Sequence, residues 1–581
     1  MNLSAYWLLF LGLFCVIIIK QFLLWMYLWQ KKEYRGDKMW DYFSLNESKN
    51  IVFDKWTRLR ILYISVFLAL SILANFYWEN WLTNFFYFIS SIYLFLTFIE
   101  VLEFAAKILT QKNILKPGIS AKMLLHSGLT ITSTVVLVVT FLTNNFSLNI
   151  FLVTLTILLI PIIIGYWLLV MFPFDYSFKN KLFLRAKNHR LLLKKLKVIA
   201  VSGAYGKTST KEILEQILAL KYSVEKTLKN QNSNVSCARK TLKLDEKTNI
   251  FICELGSYKI GDGNEIADFI QPNCSIITGL NFQHYSLFGS KENIIAAESE
   301  SLKFLPKKSP VAINWSSQMC REIKVPEGLE LIKYGIIRND LPKKVLELNQ
   351  KSTKISKKSK ITNEFDIYAT NIKLTSKLTT EFDLIYDGKS EKLETNLLSF
   401  GNIENLVGAI ALAMNLKVPL TKIKAKILDL KPAHGALEIS KQDKFYQIDD
   451  SYNANFDGIK NAIELLSEIK KNKDLNIPKS VVFIDDILEL GQKSVEIHQQ
   501  LGKIIAYKKI DIVVLLGRNF SKNIYQTLSQ EGFDINKVWF WDSRNTNEIK
   551  QNLNTFLDKY PDSVVLYEGY QSRKFIEPHG D

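Results

Sequence analysis

The chain has 581 residues, with 74 Lys and Arg against 57 Asp and Glu, a formal charge of +17. That length holds three or four units at about 150 residues each. The basic excess leaves no nucleic-acid footprint, because Lys and Arg collect beside apolar spans and in Lys/Ser-rich loops. Cys15, Cys237, Cys253, Cys274 and Cys320 have neither metal-ligand spacing nor a disulfide framework, and read as buried thiols of a reducing compartment.

Five apolar stretches are long enough to cross hydrocarbon: Ala5–Trp29, Ile61–Trp81, Phe85–Leu109, Met123–Thr143 and Ile150–Phe172. Their loops differ in charge. Lys31, Lys32, Arg35, Lys38, Lys49, Lys55, Arg58 and Arg60 crowd the first, and Lys107, Lys112, Lys116 and Lys122 the third, whereas the second and fourth carry no Lys or Arg. Another basic run, Lys179 to Lys197, follows the fifth span. The positive-inside rule then puts the N-terminus outside and everything after Phe172 in the cytoplasm. Lys20 and His126 fall at or near membrane depth, where an ionisable group is a functional candidate. Lys20 is close to the inner end of its span, where its amine can snorkel; His126 is given no role.

Beyond the spans, the β-branched stretch Val198–Val201 runs into Ser202-Gly-Ala-Tyr-Gly-Lys-Thr-Ser209 and then a helical pattern to Leu220. Such a strand–loop–helix offers backbone N–H groups and a helix N-terminus to a polyphosphate. Gly203, Ala204, Tyr205, Gly206, Lys207, Thr208 and Ser209 are the candidate cradle, with Lys207 on the outer phosphates and Thr208 on Mg²⁺. Phe251–Gly256 and Cys274–Asn281 read as buried parallel strands. Lys343–Asn363, dense in Lys and Ser, reads as an exposed loop, and Asp366–Leu397 as a hairpin-rich subregion. A second alternating set follows: helix Ile403–Leu416, strand Phe445–Asp449, helix Gly458–Ile469, strand Val481–Ile484, helix Glu496–Tyr507 and strand Ile512–Leu516. Strands separated by helices imply a parallel, doubly wound sheet. The organisation expected is an α-helical membrane domain over residues 1–175, a basic linker over 176–196, and two α/β domains over 197–398 and 399–581.

Ordered motifs in the second half resemble the Mur ligases, in particular the D-alanyl-D-alanine-adding branch, over about Lys197 to Ile576. They are Ser202–Glu212, Asn230-Gln-Asn-Ser-Asn234, Glu254-Leu-Gly256, Asn281-Phe-Gln-His284, Phe288-Gly-Ser290, Asn402-Ile-Glu-Asn405, Ile448-Asp-Asp-Ser-Tyr-Asn-Ala-Asn455, and Asp486-Ile-Leu-Glu-Leu-Gly491 with His498. A lone phosphate loop is weak evidence; the ordered set is strong. The resemblance implies a P-loop central domain and a Rossmann-like C-terminal domain. It implies a reaction in which ATP and Mg²⁺ activate a carboxylate as an acyl phosphate, which an amino-acid or dipeptide amine then attacks. Lys207 and His284 would be catalytic, Asn402 and Asn405 would lie on the adenine side, and Asp450 would hold the ribose. Thr208, Glu254 and His284 would surround the metal. Glu298 stands where family members carry a lysine that several branches carbamylate, so a genetic carboxylate would help hold a second Mg²⁺.

Each assignment competes with a blander one. Glu254 could cap a sheet rim, His284 could be a satisfied histidine, Asn405 a helix-face amide, and Glu298 a solvated charge beside Glu300. His498 reads as structural. The family pattern is also broken in places: Gly435-Ala-Leu-Glu438 lacks an arginine, Gly401 replaces a histidine, Ser233 an asparagine, and Glu568-Gly-Tyr570 a Lys-Gly-Ser. Membrane spans stand where the family's soluble UDP-sugar domain would be. The leading expectation is a membrane-anchored amide ligase of cell-wall or envelope precursors, with a lipid-linked substrate and no nucleic acid. A poly-γ-glutamate-type synthetase, an ATP-driven transporter and a degenerate scaffold are the competing readings.

Overall fold

The computed structural model describes residues 3–44, 51–76, 80–109, 116–141, 143, 145–228, 231–338, 364–451, 454–517, 519–541 and 545–576. The Lys343–Asn363 loop, Asn230, Tyr452 and Asn453 lie outside the described residues. The chain divides into two compact units, Met1–Phe178 and Lys179–Asp581.

The first unit is helical: α1 (Leu3–Lys31), α2 (Gly36–Ser44), α3 (Lys55–Phe76), α4 (Asn80–Leu109), α5 (Ala121–Phe141) and the greater part of α6 (Phe146–Leu192). Among the described residues five helices are long and apolar enough to cross a membrane, within Phe10–Lys31, Lys55–Ala74, Thr83–Leu109, Ala121–Thr140 and Phe146–Leu192. Leu62, Phe88, Phe95, Val139 and Ile162 stay exposed on them, the outward apolar surface that lipid-facing helices require. Cys15 is exposed on α1 rather than buried with the other four thiols.

Inside this unit Lys20 does not simply snorkel. Its Nζ donates to Glu100 Oε1 at 2.6 Å, and the Arg60 guanidinium donates through Nη2 to Glu100 Oε2. Three helices thus meet at one carboxylate.

The stretch read as a basic linker is helical. α6 runs 47 residues through Pro161 and Pro173, about 70 Å at 1.5 Å per residue. Phe183 and Ala186 on its last turns are buried with Leu193, Phe251 and Phe269 in the core of the second unit. Arg190, also buried, donates to the Ile270 carbonyl at 3.0 Å and to Asn273 Oδ1 at 2.9 Å. The i, i+3, i+7, i+10 spacing of Phe183, Ala186, Arg190 and Leu193 is a helical face, hidden in sequence by the lysines between.

The second unit contains two sheets. The first has nine strands in the order β2-β3-β1-β4-β5-β6-β7-β8-β9. These are β1 (Lys197–Ser202), β2 (Val224–Lys226), β3 (Ile250–Glu254), β4 (Cys274–Ile277), β5 (Pro310–Asn314), β6 (Glu330–Ile336), β7 (Ile367–Leu374), β8 (Thr380–Tyr386) and β9 (Lys389–Thr395). β1 to β7 pair in parallel, and β7, β8 and β9 form the expected antiparallel hairpins. β1, β3 and β4 are buried on both faces by helices, including α7 (Lys207–Leu218) and α8 (Asn234–Thr241), so they read as unbroken apolar runs.

The second sheet is ordered β10-β11-β15-β12-β13-β14, with β10 (Glu438–Lys441) antiparallel to β11 (Phe445–Asp450) and the rest parallel. β12 (Ser480–Ile484), β13 (Ile512–Leu515) and β14 (Val538–Phe540) build outward; the last strand, β15 (Ser563–Glu568), returns between β11 and β12. This is the doubly wound, Rossmann-like arrangement, and ligands of such sheets sit beyond the carboxyl ends of the strands.

Candidate active site

β1 ends at Ser202 and the chain turns through Gly203 (φ 135°) and Gly206 (φ 79°) into α7, both glycines lying in the left-handed range. The neighbours are close. A Cβ on Gly203 would fall 2.2 Å from Thr278 Oγ1, and one on Gly206 2.5 Å from Asn405 Oδ1. The first N–H groups of the loop are spent inside the protein. Gly203 donates to Glu298 Oε2 at 2.8 Å, and Ala204 and Tyr205 donate to the Gly279 carbonyl at 2.8 and 3.2 Å. Gly206 caps α7 with no side-chain acceptor, so the amides of Lys207, Thr208 and Ser209 stand at a helix N-terminus, a place that favours an anion. Lys207 Nζ donates to the Gly203 carbonyl, holding its charge over the loop.

Glu254 ends β3, next to β1 in the sheet, and gathers three donors, two from α7 and one from the loop before α8. Its carboxylate accepts from the Thr208 hydroxyl at 3.0 and 3.1 Å, from Lys211 Nζ at 2.9 Å and from Asn232 Nδ2 at 3.2 Å. Lys211 is fully buried, a side chain the sequence reading quoted within its motif but gave no role. The helical spacing from Lys207 to Lys211 was the available signal: position i+4 lies on the same face as the loop lysine.

His284 sits at φ 58°, and its Nδ1 pairs with the carboxylate of Glu489, itself at φ 64°. Two non-glycine residues in left-handed backbone facing each other is the kind of strain that functional sites retain. Tyr258 packs against the imidazole at 4.8 Å between ring centroids. Nearby, Asn281 Nδ2 donates to Asp457 Oδ2 at 2.9 Å. Both contacts join the central α/β domain to the C-terminal one.

Thr208 and Glu254, expected at one metal, touch each other, whereas Glu298, expected at a second, lies against the phosphate loop. Among the described residues no group of three or more His, Cys, Asp or Glu is arranged to hold a metal ion. Glu298, buried on a short helix (Lys291–Glu298), accepts from Ser202 Oγ at 2.6 Å and from Gly203 N–H, and so braces the phosphate loop from behind. Nor is Glu300 a solvated neighbour. It is buried and accepts the Gly261 and Asn264 amides at 2.6 and 2.9 Å. What fits Mg²⁺ is the pair of Thr208 hydroxyl and Glu254 carboxylate, hard oxygens side by side; this ion commonly takes one or two protein ligands and completes its shell with water and phosphate.

Asn402 and Asn405 lie on the first turns of the helix Phe400–Asn415, both buried. Asn405 faces Gly206 of the phosphate loop, and Asn402 Nδ2 has no hydrogen-bond partner among the described residues. Asp450, at the end of β11, accepts the Leu437 amide at 3.2 Å; burial, with the Asp449 charge beside it, raises its pKa to about 7 against the lowering hydrogen bonds from Glu568 and Leu437. His498 is buried and doubly bonded, accepting the Ile487 amide at 3.1 Å and donating to the Ser494 carbonyl at 2.7 Å, the structural role expected of it.

Residues 201–413 match the family model of the Mur ligase middle domain. The chain is 26% identical over 381 residues to the UDP-N-acetylmuramoyl-tripeptide–D-alanyl-D-alanine ligase of Buchnera aphidicola subsp. Acyrthosiphon pisum, covering 65% of this chain and 75% of that one. It is 28% identical over 385 residues to the enzyme of that name from Haemophilus influenzae, with the same coverage of 65% and 75%. Among solved structures, MurF from Acinetobacter baumannii aligns with a TM-score of 0.57 at 23% identity, over 68% of this chain and 78% of its own. MurF ligase from Thermotoga maritima, in complex with ADP, aligns at 0.54 and 20% identity, over 68% and 82%.

Proposed function

We propose that this chain, which belongs to the Mur ligase family and is an ATP-dependent, ADP-forming carboxylate–amine ligase, works at the cytoplasmic face of a membrane through an acyl phosphate. The observation that carries the reading is the convergence of Thr208, Lys211 and Asn232 on Glu254 beside the start of α7. A catalyst of phosphoryl transfer needs charge compensation and positioning more than covalent chemistry, and that convergence supplies both.

In this reading the amides of Lys207, Thr208 and Ser209 bind the β- and γ-phosphates, and the Lys207 ammonium stays beside the oxygens that gain charge. Thr208 and Glu254 would hold Mg²⁺, whose charge offsets that of the phosphates. An oxygen of the substrate carboxylate attacks the γ-phosphorus, and the bond to the β-phosphate oxygen breaks to release ADP. The amine nitrogen then attacks the acyl carbon; the C–O bond to phosphate breaks, inorganic phosphate leaves and the amine loses one proton. His284, oriented by Glu489, is the candidate group beside this second step. Asp450 and Asn402 are candidates for the nucleoside. Five apolar helices ahead of the matched region support a carboxylate substrate carried in the membrane.

The test is ADP release by the full chain in detergent, with D-alanyl-D-alanine and either UDP-linked or lipid-linked muramoyl-peptide as acceptor. The lipid-linked acceptor should be preferred, and Lys207→Ala should abolish release without unfolding the protein. Release near the wild-type rate in Lys207→Ala, or none with any acceptor, would overturn the reading.

A further inference from the structure

The helical unit contains a charged cluster that the ligase chemistry does not use. Lys20 on α1, Arg60 on α3 and Glu100 on α4 form a triad in which one carboxylate serves two cations, through Lys20 Nζ at 2.6 Å and through Arg60 Nη2. Arg60 is 1% exposed, and its Nε and Nη1 have no hydrogen-bond partner among the described residues. Glu103, one turn along α4, does not supply the missing charge, because Lys55 at 2.5 Å and the Trp56 indole at 3.1 Å already engage it.

A cluster whose only task was to tie three helices together would be balanced in charge and satisfied in donors, since unpaired N–H groups and a net charge are costly away from water. Among the described residues this one keeps a positive excess and leaves guanidinium donors open. The excess calls for an anion, and a planar, weakly hydrated guanidinium beside an ammonium is the usual pairing for phosphate oxygens. Glu100 is the positioning residue: it takes one edge of Arg60 and holds Lys20 at its other oxygen. The Lys20 side chain is 20% exposed while those of Arg60 and Glu100 are 2% and 3% exposed, so the cluster opens past Lys20. Arg60 lies five residues into α3, about 8 Å from the helix start at 1.5 Å per residue. That end carries the Lys- and Arg-rich loop, which the positive-inside rule places in the cytoplasm.

We propose that Lys20 and Arg60 form a binding site for a phosphate group in the cytoplasmic half of the helical unit, entered past Lys20. The proposal rests on the membrane placement of these helices and is independent of the ligase chemistry. The phosphate can belong to a lipid head group or arrive free, and the two sources separate experimentally.

Full-length protein in an uncharged detergent is titrated with dioctanoyl phosphatidate, with dioctanoyl phosphatidylcholine as the acyl-chain control, and with inorganic phosphate, reading the thermal midpoint and native-mass adducts. Phosphatidate should bind saturably and better than phosphatidylcholine, and Arg60→Gln should weaken it about ten-fold or more, as loss of a charged hydrogen bond does. Lys20→Gln, at the open edge, should weaken it several-fold and decides the matter if Arg60→Gln does not fold. An equal response to inorganic phosphate, lost in the same variants, would assign the site to free phosphate. Phosphatidate affinity unchanged in every variant that folds would overturn the proposal. Carbonate extraction of wild-type membranes tests the placement separately: release as a soluble protein would defeat it.

Discussion

The carboxyl edge of the second sheet should make the protein less stable as pH rises. In the parallel register Asp450 lies beside Glu568, and Glu568 lies beside Ile484, the last residue of β12, so Glu568 ends a strand between two others that lead into acidic residues. Glu568 is fully buried and no donor reaches either of its oxygens among the described residues. Burial, with the Asp450 carboxyl next to it, holds its pKa well above the ordinary carboxylate range. The two groups therefore keep a proton between them near neutrality. Unfolding returns both to ordinary values, so between about pH 4 and pH 7 the folded state binds more protons than the unfolded one and stability falls as pH rises. The Asp450 part, from 3.8 to about 7, is worth about 4 kcal/mol at roughly 1.4 kcal/mol per unit; burial and Asp449 cause it, so it stays when Glu568 is replaced, and the Glu568 part adds to it. Glu568→Gln keeps the shape and removes a group that the unfolded chain ionises and the folded chain keeps protonated. Its thermal midpoint should match wild type near pH 4 and exceed it by several degrees at pH 8, taking about 2–4 °C per kcal/mol for a domain of this size. A difference that does not vary with pH, or a Glu568→Gln protein less stable than wild type at pH 8, would refute the reasoning.

Lys211→Met should cost about 3–5 kcal/mol of stability, because it leaves the buried Glu254 carboxylate without its cation. Adding Glu254→Gln should recover part of that loss, and thermal unfolding of the two variants and the double variant checks it. Glu298→Gln should lower stability by about 1–2 kcal/mol through weaker bracing of Gly203 and Ser202, and leave the Mg²⁺ dependence of ADP release unchanged; a sharply raised Mg²⁺ requirement would return Glu298 to the metal. Glu489→Gln should lower kcat more than it raises the KM for ATP, since it frees the His284 ring without touching the phosphate loop. An unchanged kcat would make that ion pair structural only.

The strands, the phosphate loop and most C-terminal helices were legible because they report locally. Buried parallel strands are apolar runs, and a Gly-Lys-Thr turn between strand and helix announces itself. What escaped depends on pairing across long sequence distances. Lys211 lies 43 residues before Glu254, and Ser202 lies 96 before Glu298; the parallel register of β1 and β3 decides the first contact and the packing behind the loop decides the second. Periodicity shows that such residues are buried without showing what they meet. Glu298 illustrates this: its place in the motif suggests a metal ligand, and only the fold shows that Ser202 and Gly203 of the phosphate loop donate to it.

Two motifs far apart in the sequence meet in one contact, His284 with Glu489. Asn281 and His284 come from one string, and Asp457 and Glu489, which they meet, come from the far domain. Arg338, at the end of β6, reaches Glu464 at 2.6 Å and lies 3.8 Å from the Phe400 ring centroid. These contacts fix where the carboxyl edge of the second sheet stands relative to the phosphate loop. In the reaction proposed above, the activated carboxylate and the amine must be held within bonding distance after ADP has formed. The left-handed backbone at His284 and Glu489 is a cost borne where the two domains meet and absent from the strands that carry the contact.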